Sequence, residues 1–245
     1  MTQYMNKFIP TICAAIVSLC SFNLSAASLQ VSPISVSFST GEKAKEIWLM
    51  ITSDQPIRAQ TRVLSWAQEA GKDQLKPSRD LVASPSITEI KAGDRQLIRV
   101  LSMNVQNTVQ EQTYRLLIDE LPNVSHDNQQ TGLQLLLQYS IPVFVQSTEI
   151  TPSKSGLTSL DQVVFNYNNQ KLSVENNGKS HIRLSELNYI NPNGEKVPLI
   201  QGLVGYVLNG QTMQWDIPFH AQMQSKGKFE ARINTDGLAQ TLPIP

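Results

Sequence analysis

The sequence predicts an all-β protein built as two successive sandwich domains. Apolar residues recur at period two in short runs bounded by Gly, Pro, Asn and Asp, the signature of half-buried strands and turns. No stretch of 12 residues carries a convincing helical period. After Val145 a polar segment, QSTEITPSKSG at 146–156, separates two such sets of runs, as a linker or domain-entry segment would.

The first 27 residues stand apart from both domains. Lys7 precedes the apolar run Phe8 to Leu19, and Ser25-Ala26-Ala27 supplies a small-residue site, the layout of an export signal cleaved before Ser28. Pro10, Thr11 and Ser18 interrupt the run, so it is a poor membrane span. The expected units are therefore a signal at 1–27, a first domain at 28–147 and a second at 148–245. Both cysteines, Cys13 and Cys20, fall in the signal. The mature chain then holds no disulfide, cysteine nucleophile or thiolate ligand. Its 218 residues suffice for two domains that depend on their cores alone.

The full chain has 20 Lys and Arg against 20 Asp and Glu, and loss of Lys7 leaves a formal charge of −1. Neither a nucleic-acid partner nor a polybasic lipid-binding surface is implied, and no long apolar segment follows residue 27 to insert in a membrane. The mature chain is expected to be soluble outside the cytoplasm.

In the first domain, Ile34, Val36 and Phe38 alternate after Pro33 while Val31 falls on the other parity, so the first strand breaks or changes sheet at the proline. Glu46 to Thr52 and Ala59 to Trp66 are the next strands, parted by the turn SDQP. A loop-rich crossing with one short strand is expected after Trp66. Ile87 to Ile90, the turn at 91–94, Gln96 to Ser102 and Tyr114 to Leu121 continue the set. A polar loop, PNVSHDNQQTG, then leads into the most apolar strand of the chain.

That strand is Leu133 to Val145, LQLLLQYSIPVFV. Leu133, Leu135, Leu137, Tyr139, Ile141, Val143 and Val145 form an unbroken apolar row on one face. Pro142 cannot donate to a ladder and places the strand at or near a sheet rim. Two readings stay open from the residues alone. The row is a core strand of a sandwich, or it is an edge that pairs with another chain.

Second-domain strands are expected at Val163 to Tyr167, Lys171 to Glu175, Ile182 to Ile190, Val204 to Leu208, Thr212 to Trp215 and Lys228 to Ile233. Asn168-Asn169, Asn177-Gly178 and Asn193-Gly194 are the turn signals between them.

No catalytic signature is present in the mature chain, and no residue is assigned a catalytic, cofactor-binding or metal-binding role. His126, His181 and His220 are far apart and read as surface or loop residues. Asp119 and Glu120 are neighbours on a strand and point to opposite faces, which rules out a shared acid and base role. A structural role for Glu120, such as a salt bridge at a domain junction, is the expectation. Arg62, Arg99 and Arg115 each sit inside an apolar strand. They lie on a solvated face, or one or two point into a cleft where the guanidinium fork suits a carboxylate such as a partner's chain terminus.

The order of these features resembles the periplasmic, PapD-like chaperones of the chaperone–usher pathway that assemble pili and fimbriae. The carriers are ISVSF, PIRAQTRV, KAGDRQLIRV, YRLLIDELP and LQLLLQYSIPVFV, with weaker support from INTDG at 233–237. The resemblance implies two immunoglobulin-like domains in an L-shaped arrangement, a periplasmic location and no enzymatic activity or cofactor. It implies pilin subunits and an outer-membrane usher as partners. In this family the last strand of the first domain is lent to an incomplete pilin, which would make Leu133, Leu135, Leu137, Tyr139, Ile141 and Val143 the subunit-binding strand. Many members grip the subunit's terminal carboxylate with an arginine on the first strand and a lysine on the lending strand. Ser35 and Pro142 stand there in this chain, and the basic residue that usually follows the lending strand is replaced near Gln146. These departures, with the IPVFV ending, resemble the archaic branch. The remaining anchor candidates are Arg115 first, then Arg62 and Arg99. A fimbrial structural subunit, or another surface β-sandwich protein, is the rival reading, and self-association through the edge strand stays open.

Overall fold

The computed structural model describes residues 29–103, 109–122, 135–146, 157–218, 223 and 226–244. The expected signal, Leu133, the boundary at 147/148, His126 and His220 lie outside the described residues. Seventeen strands and no helix are described: β1 (Leu29–Ser32), β2 (Val36–Phe38), β3 (Ala44–Ile51), β4 (Ile57–Glu69), β5 (Lys72–Pro77), β6 (Leu81–Ser84), β7 (Ile87–Ile90), β8 (Arg95–Ser102), β9 (Gln112–Leu121) and β10 (Gln138–Val145), followed by β11 (Val163–Asn168), β12 (Lys171–Asn176), β13 (Ile182–Ile190), β14 (Lys196–Val207), β15 (Gln211–Asp216), β16 (Lys228–Ile233) and β17 (Ala239–Thr241).

The first sandwich packs the sheet β1-β3-β8-β6 on the sheet β2-β10-β9-β4-β5, with β7 also paired to β4. The chain changes sheet at Pro33, because β1 pairs with β3 whereas β2 runs parallel to β10. Alternation explains the core. Ile47, Leu49 and Ile51 of β3 and Ile98 and Val100 of β8 meet Leu116 and Ile118 of β9 and Ile141 and Val143 of β10. Each such side chain is worth roughly 1.5–3 kcal/mol when buried.

Three departures from the sequence reading stand out in the first sandwich. After Trp66 the chain forms β5 and β6 rather than one short strand. Ala70 and Gly71 take φ of 49° and 72°, which closes a two-residue hairpin turn and folds Lys72–Pro77 back on β4. That strand is polar and exposed on both faces, so it carries no alternation to read. Ile34, at 75 % exposure, does not continue the buried row of Val36 and Phe38. The apolar strand begins at Gln138 rather than further upstream, with one more ladder bond where Glu120 N donates to Leu137 O at 2.9 Å.

The second sandwich packs β11-β12-β15 on β14-β13-β16-β17 around Phe165, Leu172, Leu184, Leu187 and Ile233. Strand β17 is not expected from the sequence, and β14 runs Lys196–Val207 rather than Val204–Leu208 because its first half is largely exposed and shows no sustained alternation. In β13, Glu186 takes a φ of 53° at a bulge, so Leu184 and Leu187 both face the core.

The two sandwiches meet through the outward face of the second sheet of the first. Along β4 the odd residues Ile57, Ala59 and Val63 point to the core, whereas Trp66 and Gln68 are buried on the other face. Trp66, Phe144, Tyr206 and Leu208 form a separate apolar cluster between the domains. Gln68 crosses the junction twice: its Nε2 donates to Tyr206 O at 3.0 Å, and Leu208 N donates to its Oε1 at 2.9 Å. Glu111 N donates to Lys179 O at 3.0 Å, and Glu111 Oε2 accepts from His181 N at 2.8 Å. The His181 ring also places Nδ1 2.8 Å from that oxygen and stacks on Phe144 at 3.6 Å. His181 is thus a junction residue rather than a surface one.

Candidate binding site at an open strand edge

Strand β10 lies between β9 and β2, but the two flanks are covered unequally. Strand β9 pairs with all of Gln138–Val145, whereas β2 reaches only Val143–Val145. Among the described residues, no strand covers the outer flank of Gln138–Pro142. Its backbone polar groups are a template for a further strand.

The side chains divide along its length. Leu135 is 73 % exposed and Leu136 45 % exposed. Leu137 and Tyr139 are half-buried against the first core, and the Tyr139 hydroxyl donates to Leu29 O. Ile141 and Val143 are committed to that core. The expected apolar row therefore runs from a free end at Leu135 to a fixed end at Val143. Ile141 and Val143 cannot offer side chains to another molecule without opening their own sandwich.

Only one of the three expected arginines reaches the space between the domains. Arg62 lies on an exposed face and pairs with Asp119 at 2.7 Å. Arg99 is exposed on the outer face of the other sheet, opposite Glu46 in register. Arg115 lies across from Pro142 on β10 and Leu64 on β4, on the face that the second domain covers. Its guanidinium carbon is 3.7 Å from the Trp66 ring centre and 5.5 Å from that of Tyr206. Nη1 donates to Ser140 O at 3.4 Å and Nη2 is 3.9 Å from Asp73. Burial draws the guanidinium pKa below its ordinary value, and Asp73 and Tyr206 oppose that shift. Glu120 is not at the domain junction; its carboxylate accepts from Leu137 N at 3.3 Å, beside the open edge.

Arg115 opens onto a cleft cavity of about 370 Å³ whose walls come from both domains. Ile34, Ser35, Ser140 and Pro142 line it from the first domain, so Ser35 and Pro142 both face this space. The second domain contributes Arg183, Glu186, Leu203 and Arg232, none of which stood out in the sequence. Position parity on β13 and β16 could have flagged the two arginines as outward-facing, but only the docking of the domains makes that face a cleft. Among the described residues, no group of three or more His, Cys, Asp or Glu side chains could hold a metal ion. The arrangement offers strand pairing, apolar contact and guanidinium hydrogen bonding.

Residues 28–151 match the family described as pili and flagellar-assembly chaperone, PapD N-terminal domain. The chain is 24 % identical over 198 residues to the chaperone protein PmfD of Proteus mirabilis (strain HI4320), covering 78 % of this chain and 75 % of that one. Among solved structures it is similar to the chaperone–tip adhesion subunit pre-assembly complex CsuC-CsuE from the archaic chaperone–usher Csu pili of Acinetobacter baumannii. That match has a TM-score of 0.65 and 27 % identity, over 89 % of this chain and 98 % of the other. The E. coli chaperone DraB shares the fold, with a TM-score of 0.61 at 16 % identity over 89 % and 97 % of the two chains.

Proposed function

The chain belongs to the pili and flagellar-assembly chaperone family, and on that premise we propose that it holds pilin subunits by lending them the open edge of β10. The observation that carries this reading is the unequal cover of that strand, with exposed leucines leading into a fixed, buried end. An incomplete sandwich that lacks one strand gains backbone hydrogen bonds from such an edge, and alternate side chains fill the groove left by the missing strand. Leu133, Leu135 and Leu137 serve as plugs, Tyr139 borders the groove, and Ile141 and Val143 act indirectly by fixing the strand in the chaperone. Burying each leucine contributes roughly 1.5–3 kcal/mol, so three suffice to mask an apolar groove that would otherwise aggregate.

Arg115 anchors the subunit's terminal carboxylate in the cleft. It replaces the arginine and lysine pair that Ser35 and Pro142 do not supply, and its place on Trp66 orients the fork before a ligand arrives. The role is non-enzymatic. The chaperone works in the periplasm and passes its subunit to an outer-membrane usher. A fimbrial structural subunit is the weaker reading, because both sandwiches have buried cores of their own and the exposed strand lies between them in sequence.

Purifying a tagged chain from periplasm and identifying the co-purifying protein by mass spectrometry tests the reading. Recovery of a pilin-like single-domain protein is the expected result; recovery of the tagged chain within sheared surface fibres contradicts it.

A further inference from the structure

The second domain's wall of the cleft carries charge that the fold does not use. Ser185 of β13 pairs in register with Arg232 of β16, and Arg183 lies two residues from Ser185 on the same outward face, across from Tyr206. Diagonal neighbours of this kind stand about 7–8 Å apart at the backbone, within joint reach of one small ligand. Neither arginine has a carboxylate within ion-pair distance among the described residues. The Nε of Arg183 is buried with no hydrogen-bond partner, an arrangement that native proteins rarely leave unused. Among the described residues Glu186 is the one carboxylate that lines the cavity, and its Oε1 accepts from Gly202 N at 2.9 Å. On the opposite wall Arg115 already faces Asp73 and Ser140 O. Arg183 and Arg232 therefore line the cavity with no ion-pair partner of their own among the described residues, while Arg115 already has Asp73. The cavity is also flanked by two exposed aliphatic side chains, one from each domain: Ile34 at 75 % and Leu203 at 56 % exposure.

We propose that Arg183 and Arg232 form an anion subsite for an acidic side chain of the bound subunit, next to its C-terminal residue, whose aliphatic side chain lodges between Ile34 and Leu203. The inference rests on the subunit-binding reading and extends it to the second domain. Arg115 takes the terminal carboxylate on one wall, and the arginine pair takes the neighbouring carboxylate on the other. The cleft then selects subunits by a short acidic and aliphatic C-terminal signature, while β10 binds through a groove that many pilins share. Each guanidinium matches a carboxylate in charge and planar geometry, and the recessed position of Arg183 strengthens that preference over exposed acids elsewhere.

The test uses the full mature chain and short probes too small to receive a donated strand. Acetyl-Glu-Leu with a free C-terminus carries both carboxylates and the aliphatic side chain; acetyl-Gln-Leu lacks only the side-chain acid. Arginine Nε–Hε NMR signals are followed during titration. Acetyl-Glu-Leu is expected to bind at least tenfold more tightly than acetyl-Gln-Leu and to move the Arg183 and Arg232 signals. Arg183→Gln with Arg232→Gln is expected to abolish that tenfold preference while leaving the affinity for acetyl-Gln-Leu unchanged. Arg232→Gln alone, at an exposed position, is expected to lower the preference at least threefold without disturbing the fold. Equal affinity for the two probes in the wild-type chain, or a preference that survives both substitutions, overturns the proposal. Strand lending is read separately, by subunit capture, so the two claims fail independently.

Discussion

The guanidinium carbon of Arg115 lies 3.7 Å from the centre of the Trp66 ring, and Trp66 in turn meets Tyr206 of the second domain edge-on at 5.5 Å. One side chain thus touches both the junction that fixes the domains and the cleft between them. Arg115→Ala is expected to lower the yield of chaperone–pilin complex about tenfold or more, the scale of a lost charge-assisted hydrogen bond. Arg99→Ala, on the far sheet, leaves the yield unchanged. Arg115→Lys recovers less than half of the loss, because an ammonium neither stacks on the ring nor forks a carboxylate. Quantitative co-purification measures all three.

Gln68 satisfies two backbone groups of the second domain from within a buried junction. Gln68→Ala strands Tyr206 O and Leu208 N out of water, and a loss of about 1–3 kcal/mol is expected. Urea unfolding measures it, with loss of cooperativity between the domains as the accompanying sign.

Tyr114 is buried, and its hydroxyl donates to Gln112 at 2.9 Å and approaches Asp80 at 3.2 Å. Burial, then the Asp80 charge, raise its pKa well above the ordinary tyrosine value. A raised folded-state pKa means stability that is fully present below the unfolded pKa near about 10 and is lost as pH rises beyond it. Thermal unfolding across that window is expected to show a steeper fall for the wild-type chain than for Tyr114→Phe, which has no proton to lose.

A Cβ at Gly205 would lie 2.6 Å from the Trp215 ring. Gly205→Ala must displace that ring from the second core and is expected to cost about 1–3 kcal/mol. Gly210→Ala makes a useful contrast, since no atom lies near its Cβ and only its φ of 69° opposes the change. Differential scanning calorimetry of the two variants separates crowding from backbone strain.

How much of this was legible in the sequence depends on whether a feature is local. A strand with one buried face, such as Lys228–Ile233, is bounded correctly because alternation reports burial directly. The sheet change at Pro33 was legible from the parity shift between Val31 and Val36. Strand β5 was hidden because a strand exposed on both faces has no pattern. Pairing of β2 with β10 was not readable, since it joins residues about a hundred positions apart in parallel. The cleft depends on such distant contacts throughout. Arg115 stands ahead of Arg62 and Arg99 among the sequence candidates, but only the docking of the domains brings it to the cleft, while Asp119 holds Arg62 on the open face. Arg183, Arg232, Gln68 and His181 gain their roles from the docking of two sheets, which no local window records.

The central claim is that the exposed start of the β10 row enters the subunit. The most direct measurement is pilin recovery with the chaperone carrying Leu135→Asp and Leu137→Asp, with circular dichroism and thermal unfolding run alongside to establish that the chaperone itself is folded. The account predicts a folded chaperone with near-complete loss of co-purified pilin. Undiminished recovery of pilin by the folded double variant would contradict it.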